Sequence, residues 1–300
     1  MAPGRDDKFE TMTVDGRPGG GTLRVYISAD MEGVTGLVDA QDVQPHGRDY
    51  EWGRLMMTED VNAAVRGALN AGASSVVVND AHGPMRNLLP DRLHPAAHLV
   101  RGRSKPMGML EGLDSSFTAT LCVGFHAKAG TEGILSHSFM GHEIEDMWLN
   151  DQPVGEIGLV HATATALGAP VVMISGDNVA CAEALAWDPH LATVAVKHAH
   201  DRFAARLRPV TEARDAIEKT AQEALTANPG GTAARQFAER SVLAVRWQST
   251  TVASHLAGIP GVTRTDDRTI QVDGQLTNLF RLFRVFTTVA SALTNQIPYC

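Results

Sequence analysis

Residues 51–83 read EWGRLMMTEDVNAAVRGALNAGASSVVVNDAHG. Apolar residues recur at helical spacing from Glu51 to Ala73, and an Ala-Gly pair near the end is a stop signal. The next ten residues, SSVVVNDAHG, make a nearly continuous apolar run, the pattern of a strand buried on both faces. Upstream, TLRVYISAD at 22–30 is a second short, β-branched run. Strand, helix and strand with short links form a βαβ unit with a parallel pair. The form recurs in ATLCVGFHAKAG (119–130) and APVVMISGDN (169–178), apolar runs that end in small and polar residues. Between them, MWLNDQPVGEIGLVHATATALG (147–168) reads as a turn followed by a helix.

After about residue 190 the texture changes. Residues 200–227 read as a charged helix, SVLAVRWQ (241–248) and RTIQVDGQ (268–275) as antiparallel strands, and LTNLFRLFRVFTTVASAL (276–293) as a closing helix. NPGG at 228–231 reads as a linker or loop. The expected fold is α/β: a parallel or mixed sheet flanked by helices, with a smaller C-terminal α+β layer. The expected organisation is a disordered leader over 1–22, an α/β metal-binding catalytic domain over 23–190, and a smaller α+β domain over 191–300.

Composition narrows the functional classes. The chain of 300 residues is 44% hydrophobic and 20% charged, enough to bury a substantial core. Its net charge of -8 and the lack of any basic run argue against nucleic acid and anionic membrane as partners. The three cysteines, Cys122, Cys181 and Cys300, are too few and scattered for a disulfide framework or a thiolate zinc site, which fits a reducing cytoplasm. The polar, Gly-rich leader lacks the apolar core of a signal peptide. No stretch reaches the roughly 18 apolar residues of a membrane span.

The chemistry gathers at strand ends. In YISADMEGVTGL (26–37), Asp30 and Glu32 stand one residue apart and so point to one face of an extended chain. Taken alone, that pair is a solvated strand end. Asn79, Asp80 and His82 follow the second strand and His126 the third, while His137 lies in LSHSFMG and Glu156 in NDQPVGEIG. In open α/β sheets, sites form at the carboxyl ends of strands, so these groups converge on one rim. Each histidine by itself reads as a hydrogen-bonded rim or core residue. Together, carboxylates and imidazoles make a mixed N/O ligand set suited to zinc or a similar divalent ion, and large enough for two ions. A dication would let Asp30 and Glu32 stand side by side.

SADMEGVTGL, NDAHGPMRNL, VGFHAKAG, LSHSF and NDQPVGEIG, in this order, resemble the D-aminopeptidases of peptidase family M55, over residues 23 to about 295. The resemblance implies a two-zinc hydrolase that removes D-amino acids from the N-termini of short peptides. It implies metal ligation by Asp30, Glu32, His82, His126 and Glu156, an active-site role for His137, and a ring-shaped homodecamer. The cofactor implied is Zn2+, two per subunit, with other divalent metals left open. Asp30 is the expected bridging carboxylate, metal-activated water the expected attacking group, and His137 the expected proton-transfer residue.

Lys128 is a candidate for substrate binding, read alternatively as a solvated lysine; Asn150 is another, read alternatively with Asp151 as an Asx turn. The acidic segment HEIEDMW (142–148) follows His137 and is either an exposed loop or part of a substrate entrance favouring a cationic substrate. His94 and His98, spaced i, i+4, read as structural. The expected substrate is a small peptide or amide. The alternatives are an amidase acting on a specialised non-peptide or L-amino-acid amide, a two-metal phosphoesterase, and a non-catalytic peptide-binding ring. The chain carries no P-loop and no G-x-G-x-x-G after the first strand.

Overall fold

The computed structural model describes residues 22–227 and 235–294. The expected leader, apart from Thr22, and the NPGG segment lie outside the described residues, as does Cys300. The chain opens with β1 (Arg24–Ala29), α1 (Ala40–Val43), α2 (Tyr50–Asn70), β2 (Ser75–Asp80) and β3 (Ala97–Val100). It continues through a short 3-10 turn at Gly108–Leu110 into β4 (Ala119–Phe125), β5 (Ile144–Leu149), β6 (Gln152–Pro153), α3 (Glu156–Ala166) and β7 (Val171–Asp177). Next come α4 (Asn178–Trp187), β8 (Ala192–Asp201), β9 (Ala204–Leu207) and α5 (Val210–Ala227). The last elements are β10 (Ser241–Trp247), α6 (Thr250–Leu256), β11 (Val262–Arg264), β12 (Thr269–Gly274) and α7 (Leu276–Thr294).

Seven strands form one sheet in the order β3-β2-β1-β4-β7-β8-β9, parallel except for the antiparallel edge pair β8–β9. From β1 the chain winds outward through β2 to β3, then returns to β4 on the other side and continues to β7 and β8. That reversal between β1 and β4 is a topological switch point, where helices on opposite faces leave a crevice at the strand ends. Every residue of β4 is buried, as a central strand covered on both faces requires.

Two cores flank the sheet. On one face α2 and α5 bury Met57, Val61, Ala64, Ala68, Ile217 and Ala221. The other core lies between the sheet and a second, antiparallel one of order β11-β12-β10-β5-β6. Here α7 turns Leu276, Leu279, Phe280, Phe283 and Phe286 inward at helical spacing beside Trp247.

The α/β class and mixed sheet are as expected, and the structure corrects several elements. Residues 200–207 form a hairpin, the end of β8, a turn at 202–203 and β9, which pairs back onto β8 in the register Lys197↔Leu207, and the helix begins only at Val210. Residues 144–149 form β5, which pairs with β10 and carries β6 with it. The second sheet therefore draws strands from before residue 190, while β8, β9 and α5 after it belong to the first sheet's layers. The division expected at 190/191 does not follow the sheets.

Candidate metal centre

The ends of β1 and β4 meet backbone to backbone. Asp30 N–H donates to the Val123 carbonyl and Gly33 N–H to the Gly124 carbonyl, both at 2.8 Å. A Cβ on Gly33 would lie 1.9 Å from the Phe125 oxygen, so no side chain fits there. Gly124 adopts φ +75°, and a Cβ on it would lie 2.3 Å from the Asp30 oxygen. This close approach sets Asp30 and Glu32 beside His126.

Four buried side chains hold the surrounding segments. Lys197, fully buried on β8, donates its ammonium protons to the carbonyls of Glu32 (2.6 Å), Val34 (2.9 Å) and Leu37 (2.5 Å). Burial pushes Lys197 down to about 8, so it remains charged at neutral pH and uses its three donors on the segment that carries Glu32. Asp177 caps α4 by accepting from Val179 and Ala180, and also accepts from Ile134 N–H, anchoring the segment before His137. Asp80 accepts from Asn87 N–H, the Asn87 amide and Leu88 N–H, and Asn79 engages Lys105 and the Gly108 carbonyl. Asn79 and Asp80 therefore organise loops, and His82 is the group from β2 that reaches the rim.

The five expected ligands come together although they are spread over 127 positions of sequence. His82 Nδ1 lies 3.3 Å from Asp30 Oδ1 and 3.1 Å from Glu32 Oε2. His126 Nε2 lies 3.5 Å from Asp30 Oδ2 and 3.3 Å from Glu156 Oε1. The two oxygens of Asp30 thus face different imidazoles. Two triads, Asp30–Glu32–His82 and Asp30–His126–Glu156, each place one ligand atom per residue within 4.8 Å of the others, and Glu32–His126–His137 forms a third. Glu156 opens α3, where the helix dipole favours a carboxylate, and accepts from Phe139 N–H at 2.6 Å.

Each imidazole is oriented by a backbone carbonyl: His82 Nε2 by Val43 (2.9 Å), His126 Nδ1 by Ala127 (3.0 Å) and His137 Nδ1 by Leu135 (2.9 Å). These bonds leave His82 Nδ1, His126 Nε2 and His137 Nε2 directed at the carboxylates, the arrangement usual for metal-binding histidines. His126 Nε2 is buried and makes no hydrogen bond. That orphaned nitrogen, flanked by carboxylates at ion-pair distance, fits a divalent ion.

The electrostatics point the same way. Burial, followed by the charge of Glu32, pushes Asp30 up to about 7. Burial would also raise Glu32, but the charge of His82 overrides it and holds Glu32 well below its usual range. Glu156 is likewise lowered against its burial by His126. In turn, and again against burial, Glu32 raises His82 and Glu156 raises His126 well above the ordinary imidazole value. An entering dication would displace those imidazole protons and take over their role. His137 differs: burial and the charge of His126 lower it. Its ring stacks on His126 at 4.1 Å between centroids, its Nε2 is 3.8 Å from Glu156 Oε1, and 19% of its side chain is open to solvent.

The remaining candidates fall elsewhere. Lys128 lines a cavity of about 530 Å³ with Gln152, Gly155, Glu183, Trp187 and Arg235, and none of the six residues above lines it. Asn150 and Asp151 have positive φ in the β5–β6 hairpin. The Asn150 side chain accepts from Val242 N–H and donates to Ser241 Oγ, so its amide secures the hairpin to β10. In the 142–148 segment, Glu145 pairs with Arg246 and Arg268, which offsets part of the expected acidic patch. Sequence reasoning missed Lys197 and Asp177; a lysine inside the apolar alternation of ATVAVKH and an Asp before a helix were the available signals.

Residues 23–287 match the family model Peptidase_M55, described as D-aminopeptidase. Over 200 residues the chain is 43% identical to a D-aminopeptidase of Bacillus subtilis (strain 168), a match covering 66% of this chain and 73% of that protein. Among solved structures, it is similar to the Zn-dependent D-aminopeptidase DppA from Bacillus subtilis, described as a self-compartmentalizing protease. That similarity has a TM-score of 0.86 and 33% identity, and covers 93% of this chain and 100% of the other.

Proposed function

This chain belongs to peptidase family M55, the D-aminopeptidases, and from that premise we propose that it is a zinc-dependent aminopeptidase releasing an N-terminal D-amino acid from short peptides. The observation that carries the proposal is the pair of ligand triads sharing Asp30 at the β1/β4 switch point. Asp30, Glu32, His82, His126 and Glu156 would hold two zinc ions per subunit, with Asp30 the carboxylate common to both triads. Its two oxygens, each facing a different imidazole, support that bridging role. Zinc bound there supplies Lewis acidity, polarising the scissile carbonyl and acidifying a water molecule.

His137 moves the proton. Its lowered basicity keeps it neutral near pH 7, and the Leu135 carbonyl fixes the proton on Nδ1, leaving Nε2 with a lone pair towards the cluster. Nε2 accepts a proton from the attacking water and delivers it to the leaving amine. The Asp30, Glu32 and Glu156 carboxylates are buried, so their field acts in a poorly hydrated site. The self-compartmentalizing neighbour supports a homo-oligomeric ring, a decamer by family resemblance. No described helix is long and apolar enough to cross a membrane; a cytoplasmic setting, drawn from the sparse cysteines, belongs to the same proposal.

The test is hydrolysis of D-Ala-D-Ala by the zinc-loaded protein, with a chelator-treated sample and His137→Ala alongside. Chelation should abolish D-Ala release. His137→Ala should keep both zinc ions and lose about 10²–10⁴-fold in kcat. Wild-type turnover in that variant would refute the proton-transfer role, and no release by the zinc-loaded wild type would refute the D-dipeptide reading.

A further inference from the structure

A group of arginines borders the metal centre on the α7 side. Arg284 projects from α7 next to Phe283, whose ring meets Phe139 at 4.7 Å, and Phe139 N–H is bonded to Glu156. The Arg284 guanidinium lies over Gly108, where an added Cβ would stand 2.8 Å from its Nε. Arg103 donates to the carbonyl of Gly83, the residue after His82. The 103–108 segment thus runs from Arg103, at the carbonyl beside His82, to the Gly108 backbone under Arg284. Arg281 is one helical turn away and contacts Met107 Sδ.

Among the described residues, Arg103, Arg281 and Arg284 pair with no carboxylate, although the chain carries a net charge of -8. Arg284 donates to Thr287 Oγ1 at 3.2 Å, while its Nε is buried with no hydrogen-bond partner among the described residues. Burial, and then the charge of Arg103, lower its basicity, and Glu156 is the acid near enough to oppose them. A half-buried guanidinium with an unused donor, beside a second guanidinium, calls for a planar anion that accepts two hydrogen bonds.

We propose that Arg284, flanked by Arg103, receives the free C-terminal carboxylate of a short peptide, so that the protein selects free-acid peptides over their C-terminal amides. The proposal rests on the aminopeptidase reading and names its substrate class. The metal centre takes the N-terminal side of the scissile bond, and the arginines take the other end. Arg284 is a specificity residue: it touches the substrate away from the reacting atoms.

The test compares D-Ala-D-Ala with its C-terminal amide on the zinc-loaded full chain, for wild type, Arg284→Met and Arg284→Lys. Met retains most of the apolar stem that packs on Gly108. Wild type should prefer the free acid. Arg284→Met should lose about 10- to 100-fold in kcat/KM on the free acid, mainly through KM. It should leave the amide within about twofold, and Arg284→Lys should recover part of the loss. Equal losses on both substrates, or a wild type indifferent to amidation, would overturn the subsite. If neither substrate is hydrolysed, the aminopeptidase reading fails, and equilibrium binding of the two compounds decides the subsite separately. Weaker binding of the free acid alone by Arg284→Met upholds it, and unchanged discrimination overturns it.

Discussion

Gly33→Ala should cost this protein its metal centre. The added Cβ would lie 1.9 Å from the Phe125 oxygen, 2.6 Å from the Gly124 carbonyl carbon and 2.7 Å from that of Phe125, all backbone atoms. A tolerable carbon–oxygen contact is ~3.3 Å, so the ends of β1 and β4 must part by more than about 1 Å. Those ends carry Asp30 and His126, and metal–ligand distances tolerate only about 0.2 Å. No side-chain rotation relieves a clash with backbone, so the stability cost should sit near the top of the overpacking range, about 3 kcal/mol. For a chain this large that corresponds to roughly 2–4 °C of melting temperature per kcal/mol. The assay is thermal unfolding with and without zinc, paired with zinc stoichiometry. Wild type should gain stability with zinc, about 4 kcal/mol at a thousandfold excess over Kd. Gly33→Ala should melt lower and lose that gain. Gly72→Ala is the control: φ is +90° there, but nothing lies within 4 Å, so it should cost about 1 kcal/mol and keep the full zinc response. Two zinc ions and a wild-type zinc shift in Gly33→Ala would refute the idea that this backbone approach sets the ligand spacing.

Lys197→Met should leave the carbonyls of Glu32, Val34 and Leu37 without their donor, weakening zinc about 10- to 100-fold by titration calorimetry. Unchanged affinity would show that the segment holds its shape unaided. His161 is fully buried beside Trp187 and Asp188, and burial pushes it down to about 4. Its folded pKa lies below the ordinary ~6.5, so the unfolded chain binds this proton first, and the stability it contributes above pH ~6.5 drains away as pH falls towards 4. The loss should reach about 3 kcal/mol, read by urea unfolding across that range. His161→Gln should flatten this acid limb; an unchanged slope would assign it to other groups.

Much of the site was legible because its ligands sit where strands end, and strands are visible as apolar runs. YISAD, VVVND and VGFH each show a buried strand stopping at a polar residue, and the α/β topology directs such stops to one rim. Legibility failed where pairing between distant segments overrode local pattern. IEDMWL becomes β5 because β10 hydrogen-bonds to it, and the AARL stretch becomes β9 because β8 does. Asp80 and Asn150 look like site residues in sequence, but their hydrogen bonds are taken up by Asn87 and Leu88, and by Ser241 and Val242.

The sequence by itself determined which residue types stand at the strand ends, and hence that carboxylates and imidazoles gather on one rim of an α/β sheet. Periodicity and residue chemistry are local, so they can be read along the chain. Only the tertiary structure decided which ring nitrogen faces which carboxylate, that Asp30 spans two imidazoles, and that Lys197, 165 residues from Glu32, holds the segment carrying it. Those facts depend on the strand order β2-β1-β4 and on a backbone contact that glycine at 33 and 124 permits. Contacts of that kind arise from the packing of segments remote in sequence, and no single segment encodes them.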